Sequence, residues 1–413
     1  MSIAFRNDIP YLEEQNLVEL SNSIQTPFYV YSHKKINDTF LELNKLLNKD
    51  IYFAIKANSN QAIIAILNSL GAGADVVSLE EMQRALTAGV SPEKIIFEGV
   101  GKSNTDIENA IHNNIRQINV ESIEELKLVD NIANSLNKKP RIGLRVNPNI
   151  NAETIDKVST GRKTDKFGID FEQLNETCHV LKLLKNIKFM GLSCHIGSQI
   201  FQINIFEQVF NKMKQAIEIF QSNNLSIDHL DLGGGFGIAY DNTQNQFDIN
   251  KLATLIDDIF PDPSFKISFE PGRYLVANAG YLVTKILTCK QNGGINFLIT
   301  DAGMHTLLRP AMYNAFHKII PFNQKGRETT YTIAGPICES SDVLVKDIML
   351  PTQKKDNLLI ICDVGAYGAV MASNYNSKCL PAEVLVNQTK YAIIRHQENI
   401  ETLISRDKLP DWL

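Results

Sequence analysis

No stretch of this 413-residue chain is apolar for long enough to cross a bilayer, which argues against a membrane-spanning helix. Positive charge is not in excess either. The 41 Lys and Arg residues against 46 Asp and Glu give a formal net charge of -5, so no overall basic field exists to hold nucleic acid or an anionic lipid surface. The segment from Met1 to Asp8 has no apolar signal core. Cysteine pairing is not signalled: Cys178, Cys194, Cys289, Cys338, Cys362 and Cys379 form no CxxC and no even ladder. That speaks for free thiols in a reducing compartment. The eight histidines show neither HExxH nor a Cys/His ligand spacing, so no structural metal is expected. What remains is the expectation of a cytoplasmic, enzyme-like chain.

The composition, 44% apolar and 21% charged, is that of an ordinary globular protein. The length exceeds one small core and predicts two domains, or one large barrel with an appendage. Eight short apolar segments recur, each closing on a polar or glycine cluster: 51–56, 73–78, 95–99, 118–122, 141–147, 189–195, 229–235 and 266–272. Helix-like stretches lie between most of them, among them Gln61 to Leu70, Glu80 to Leu86 and Phe206 to Phe220. Strand alternating with helix eight times is the pattern of a (β/α)8 barrel.

Parity supports this. Side chains alternate across a strand. Ile51, Phe53 and Ile55 oppose Tyr52, Ala54 and Lys56; Leu144 and Val146 oppose Gly143 and Arg145. Leu192 and Cys194 oppose Gly191, Ser193 and His195; Leu230 and Leu232 oppose Asp231 and Gly233; Ile267 and Phe269 oppose Ser268 and Glu270. One face suits covering helices. The other is small or polar and ends in a functional group, which places a site at the C-terminal mouth of the barrel. The insert over 148–175 is longer than an ordinary loop and hints at function there.

After about residue 276 strand-like runs continue without helix alternation: 281–288, 297–300, 330–334, 358–362 and 391–395. They predict a second, mostly β domain. Thr26 to Tyr31 also reads as a strand that could join it. The expected division is an N-terminal segment at 1–32, a barrel at 33–275 and a β domain at 276–413.

Three features carry chemistry. Lys56 closes an apolar strand, where desolvation would favour the neutral amine and Schiff-base chemistry. The run Gly233-Gly234-Gly235 after the seventh strand lets backbone N–H groups converge on an anion, and barrel loops at this point commonly hold phosphate. The ordinary reading of that run is a tight turn. Glu270 ends the eighth strand, and Pro271 biases it to an extended backbone that fixes its direction. Lysine, phosphate cradle and directed carboxylate together are the kit for pyridoxal phosphate.

With these residues in view, the chain resembles the alanine-racemase-like (fold type III) pyridoxal-phosphate decarboxylases, and within them the diaminopimelate decarboxylases. The resembling segments are 52–60, 71–78, 159–169, 195–199, 230–237, 270–273, 307–313, 338–342 and 365–368, which span nearly the whole chain in the family's order. Leu79-Glu80-Glu81 departs from the Gly-Gly-Glu-like stretch common in the family.

The resemblance implies a TIM-like barrel with a β domain, pyridoxal 5'-phosphate as cofactor, and decarboxylation of meso-diaminopimelate to L-lysine and carbon dioxide. It implies that Lys56 carries the cofactor, that His195 lies over its ring and that Glu270 pairs with its pyridine nitrogen. Ser198, Gly234, Gly235, Glu270, Pro271, Gly272, Arg273 and Tyr367 would help hold it, with Asp75 and Arg145 in support. Arg273, Arg309, Tyr313, Glu339 and Tyr367 would hold substrate. Cys338 would donate a proton across the interface of a homodimer with shared active sites. His305 and His317 read as structural. The alternative is another basic amino-acid or polyamine-pathway decarboxylase on the same fold, but such substrates have no distal carboxylate for Arg309. A catalytically dead paralogue should have lost Lys56 or Cys338, and both are present.

Overall fold

The computed structural model describes residues 3–152, 160–241, 245–261 and 263–413. The chain divides into two compact units, one formed by Asn37–Ala239 and Asn245–Leu275, the other by Met1–Ile36, Tyr240–Gln244 and Val276–Leu413.

The first unit is a closed parallel barrel. Its strands are β1 (Asp50–Ala54), β2 (Gly73–Val76), β3 (Ile95–Phe97), β4 (Gln117–Val120), β5 (Arg141–Asn147), β6 (Lys188–Ser193), β7 (His229–Asp231) and β8 (Lys266–Phe269). Each pairs with the next, and β8 returns to β1 through Ser268 opposite Asp50 and Phe269 opposite Ile51. Helices follow most strands, and their first turns are fixed by local chemistry. Ser78 and Ser122 accept from the N–H of Glu81 and Glu125, and Ser103 with Asp106 forms a reciprocal capping box. Ile63, Ile64, Leu67, Met82, Ala85, Ile107 and Ile111 are buried on the helix faces.

The inner face of the barrel is polar, as the strand parity predicts, and it is also fully buried. Gln117, Asn119, Ser193, His229, Asp231 and Ser268 are all at most 1% exposed. Buried polar groups must find partners, and these do. Asn119 Oδ1 accepts from Gln117 Nε2 at 2.6 Å, His229 Nδ1 meets Gln117 Oε1 at 3.1 Å, and His229 Nε2 meets Ser268 Oγ at 2.9 Å. Two glycines admit these groups. A Cβ at Gly143 would strike the Asn119 and Gln117 side chains, and one at Gly191 would strike the His229 carbonyl.

The second unit is built on the long strand Gly280–Asn292. It pairs antiparallel with Phe28–Ser32, Leu358–Ile361 and Ile295–Thr300. Phe28–Ser32 pairs on its other side, in parallel, with Ala382–Asn387. Phe28, Val30, Tyr281, Val283, Ile360, Val384 and Val386 form one apolar cluster. Three further strands of this large sheet, Ile319–Pro321, Val343–Pro351 and Ala382–Asn387, were not read from the sequence. They carry Pro, Lys, Asp or Glu among their apolar residues, which masks the pattern. Of the 148–175 insert, residues 153–159 lie outside those described, and Ile169–Asp170 adds a short parallel edge to β5. Among the described residues no helix is long and apolar enough to cross a membrane.

The glycine at the β6–β7 contact is testable. Gly191→Ala forces backbone apart in a packed interior, an overpacking cost of about 1–3 kcal/mol or more. Gly101, with nothing within 4 Å of its notional Cβ, is the control. Thermal melts should show a clear loss for Gly191→Ala and almost none for Gly101→Ala.

Candidate active site

Lys56 lies just past β1, in a 3-10 turn spanning Ile55–Ala57. The desolvation expected from the sequence is not present: the side chain is 38% exposed, because the turn carries it out of the strand and over the mouth. Its Nζ stands 3.7 Å from Asp75 Oδ2, and Asp75, at the end of β2, is 1% exposed. Burial pushes the Asp75 carboxyl up to about 7, with Lys56 opposing the shift.

Glu270 follows β8 and is buried, with Oε1 lacking a hydrogen-bond partner. Its carboxyl faces that of Asp231, whose charge disfavours ionisation of Glu270. Asp231 accepts from Ser268 Oγ at 2.7 Å and from the Gly233 N–H at 2.8 Å. Burial first, and then the facing carboxylates Asp231, Asp75 and Glu98, raise Glu270 well above the ordinary range. Two carboxyls this close, away from water, favour sharing a proton over carrying two charges.

His195, just past β6, accepts the Gly234 N–H at Nδ1, 3.2 Å away. That bond leaves the proton on Nε2 in the neutral ring. Burial, then Lys56 and Arg145, hold the imidazole well below its usual range, so it stays neutral. Its carbonyl accepts from Thr160 Oγ1 at 2.9 Å and from Arg145 Nη2 at 3.5 Å. Arg145 also reaches Glu121 at 3.0 Å and Glu98 at 3.5 Å, with its guanidinium over the Phe167 ring. Ser159, which opens one of the resembling segments, lies outside the described residues.

The glycine run bends sharply at this mouth. Gly235 has φ +91°, and a Cβ there would strike the Gly197 carbonyl. Pro271 and Gly272 follow Glu270 directly, and a Cβ on Gly272 would come within 3.0 Å of the Ala57 methyl. Arg273 Nε donates to Ser198 Oγ at 3.1 Å, joining the loops after β6 and β8. The barrel unit thus brings Lys56, Asp75, Arg145, His195, Ser198, Gly234, Gly235, Glu270, Pro271, Gly272 and Arg273 to one end.

The β unit carries the other candidates. Arg309, buried, opens the short helix Arg309–Tyr313, and Tyr313 at its end is half-buried. Cys338 and Glu339 are exposed in a turn organised by Asp342, whose carboxylate accepts from the N–H of Met304 at 2.6 Å and of Ile337 at 2.7 Å. Tyr375 Oη hydrogen-bonds Glu339 and holds its carboxyl below the usual range. Tyr367 sits at φ 55°, an uncommon backbone for a bulky residue. Strain of that kind is kept where the surroundings dictate it.

Asp75, Glu98, Glu121, Asp231 and Glu270 are buried in the barrel interior beside Arg145 and Lys56. An interior this acidic fits a group that brings a proton-bearing nitrogen to the unpartnered Glu270 oxygen. It also fits a carbonyl within reach of Lys56. Pyridoxal phosphate has both.

Residues 33–277 match the sequence family described as "Pyridoxal-dependent decarboxylase, pyridoxal binding domain". Diaminopimelate decarboxylase of Aquifex aeolicus is 37% identical over 97% of this chain and 96% of its own length. The crystal structure of diaminopimelate decarboxylase from M. jannaschii superposes with a TM-score of 0.95 at 34% identity, covering 100% of this chain and 99% of that one. The Helicobacter pylori enzyme complexed with L-lysine gives 0.91 at 38% identity, over 95% and 99%. The chain belongs to the diaminopimelate decarboxylase family. It is an enzyme of the pyridoxal-dependent decarboxylases, and its cofactor is pyridoxal phosphate.

Set beside this decarboxylase family, the sequence reading missed the groups behind Glu270. Asp231 was placed on the inner face without a role, and His229, Gln117, Asn119 and Glu98 were not singled out. For Asp231 and His229 the available signal was parity, since they fall two and four residues before Gly233; no recognised mouth residue marks the strands of Gln117, Asn119 and Glu98. Asp342 was likewise quoted only as part of a motif.

The Asp231–Glu270 pair predicts a pH effect on the cofactor-free enzyme. Burial, helped by the charge of Glu98 and opposed by the Ser268 and Gly233 bonds, pushes Asp231 up to about 7 from an ordinary value of 3.8. A carboxyl raised on folding binds its proton more tightly in the native state, so its contribution is greatest at low pH and is lost as pH rises towards 7. Asp231→Asn removes that loss while retaining an acceptor for Gly233. Its melting temperature relative to the unsubstituted enzyme should climb between pH 5 and pH 8; a flat difference would refute the shared-proton account.

Proposed function

We propose that this chain decarboxylates meso-2,6-diaminopimelate to L-lysine and carbon dioxide, the last step of lysine synthesis by the diaminopimelate route. The observation that carries the reading is the buried Glu270 carboxyl with its unpartnered oxygen, facing a barrel mouth that also presents Lys56 and a neutral His195.

The chemistry that pyridoxal phosphate supplies when bound is a sink for the electron pair left at the α-carbon as carbon dioxide departs. Lys56 holds the cofactor through its amine, and Asp75 keeps that amine oriented. Glu270 keeps a proton at the ring nitrogen, the condition for a strong sink. His195, pinned by Gly234 and uncharged, would pack against the bound ring without competing for that proton. The Gly235 turn, Ser198 and Arg273 bind the phosphate through N–H, hydroxyl and guanidinium donors. Tyr367 contributes to the hold on cofactor and substrate.

Arg309 with Tyr313 takes the distal carboxylate, and Glu339 the distal ammonium. Arginine suits a carboxylate because its planar fork can donate two parallel bonds. Cys338 returns a proton to the α-carbon. Its exposure in an ordered turn fits a donor presented to a second copy of the chain, and we read the enzyme as a homodimer with shared sites. The scattered free cysteines fit a cytoplasmic setting.

Carbon dioxide release from meso-diaminopimelate, measured beside ornithine, arginine and lysine, tests the substrate. Release from diaminopimelate should dominate; preference for any of the other three would replace this reading. Lys56→Ala should lose both bound-cofactor absorbance and turnover, and retention of full activity would sink its assignment.

The shared site has its own test. Lys56→Ala and Cys338→Ala should each be nearly inactive alone. Mixed under conditions of demonstrated subunit exchange, they should recover part of the activity, because one hybrid site keeps both residues. No recovery would leave Cys338 serving its own chain.

A further inference from the structure

His317 lies four residues beyond the helix Arg309–Tyr313 and is 2% exposed. Its Nδ1 is 3.0 Å from the Cys362 carbonyl oxygen, and its Nε2 is 2.9 Å from Arg309 Nη1. A guanidinium has donors and no acceptor. Nε2 must therefore offer its lone pair, and Nδ1 must carry the proton that it donates to the carbonyl. Only the neutral Nδ1–H tautomer satisfies both contacts; the imidazolium would set one cation against another.

The surroundings fix that ring. Cys362, itself buried, follows the strand Leu358–Ile361, and its N–H donates to the Lys318 carbonyl at 2.8 Å. Cys362 thus holds both the backbone beside His317 and the imidazole. Tyr240 packs edge-on against His317, with ring centroids 5.3 Å apart, and lies under the Arg309 guanidinium at 4.6 Å. Arg309, 5% exposed, is held along one edge by the imidazole and on one face by the phenol. Both contacts constrain the plane of the fork, and with it the direction of its N–H groups.

We propose that His317 is a positioning residue for substrate selection: it aims Arg309 at the second carboxylate that distinguishes a dicarboxylic diamino acid from a monocarboxylic one. The proposal rests on the reading of Arg309 as the grip on that distal carboxylate. An ammonium or an unaimed guanidinium offers charge at the same place, but not two bonds in one plane. His317 touches neither substrate nor cofactor in this account. Its effect should fall on apparent affinity rather than on the chemical step, provided the grip is equal in ground and transition states.

The test is a double-mutant cycle in steady-state kinetics on meso-diaminopimelate, with cofactor absorbance as the control. Arg309→Leu should raise KM about ten- to a hundred-fold, the range expected for losing a charge-assisted bond. His317→Ala should raise KM about tenfold with kcat nearly kept and absorbance unchanged. His317→Gln, whose amide can accept from Arg309 and donate to Cys362, should recover part of that loss. His317→Met, which fills the space without an acceptor, serves where alanine fails to fold. The pair His317→Ala, Arg309→Leu should be no worse than Arg309→Leu alone, since an absent guanidinium cannot be misaimed. A full, additive cost of His317→Ala in the Arg309→Leu background would show a structural role and overturn the proposal. So would normal kinetics for both His317→Ala and His317→Met while Arg309→Leu is impaired. Normal kinetics for Arg309→Leu itself would remove the grip, and the positioning role with it.

Discussion

Negative charge buried at the end of a closed barrel is the constraint around which this enzyme is arranged. Burying a carboxylate is expensive unless it is paired, hydrogen-bonded or protonated. Each outcome occurs within a few residues of the others. Glu98 and Glu121 are held by Arg145, Asp75 faces Lys56, and Asp231 with Glu270 favours a shared proton. The glycines of β5 and β6, the amides of β4 and the imidazole of β7 follow from this need, because an apolar interior would leave those carboxyls with no bonding network. In the proposed function, a protonated ring nitrogen of the cofactor would answer the same need.

The same logic explains why the half-buried His195 and the buried His229 stay neutral. His195 is flanked by Lys56 and Arg145, and His229 by donors and acceptors that a neutral ring can satisfy. Burial and neighbouring cations hold His229 down to about 3. Neither ring is a proton carrier at neutral pH. One is pinned by the Gly234 N–H and the other braces Gln117 against Ser268.

Much of this was legible in the chain. The barrel was readable because a strand has a period of two and the polar parity ends, strand after strand, in a functional residue. Glu270 was readable because a proline follows it. Ser78 to Glu81 and Ser122 to Glu125 are helix-start signals that agree with the helices observed. Other features depend on the third dimension. The 3-10 turn that lifts Lys56 out of its strand has no local mark. Gln117 and Asn119 look like ordinary polar strand residues until the barrel closes over them. The bond from His317 to Arg309 spans eight positions across a helix end and a left-handed Asn314, a path that no periodicity encodes.

The strand Phe28–Ser32 lies between Gly280–Asn292 and Ala382–Asn387. During synthesis this strand leaves the ribosome long before either neighbour exists. The barrel segments between them are complete first, and they can fold while the strand still waits with both edges open. Exposed edges of this kind invite wrong pairing. The β unit therefore depends on a strand made long after the barrel segments. A nascent enzyme interrupted before Ala382 would hold a formed barrel beside a sheet that cannot yet close, and that interval is when a chaperone would matter most.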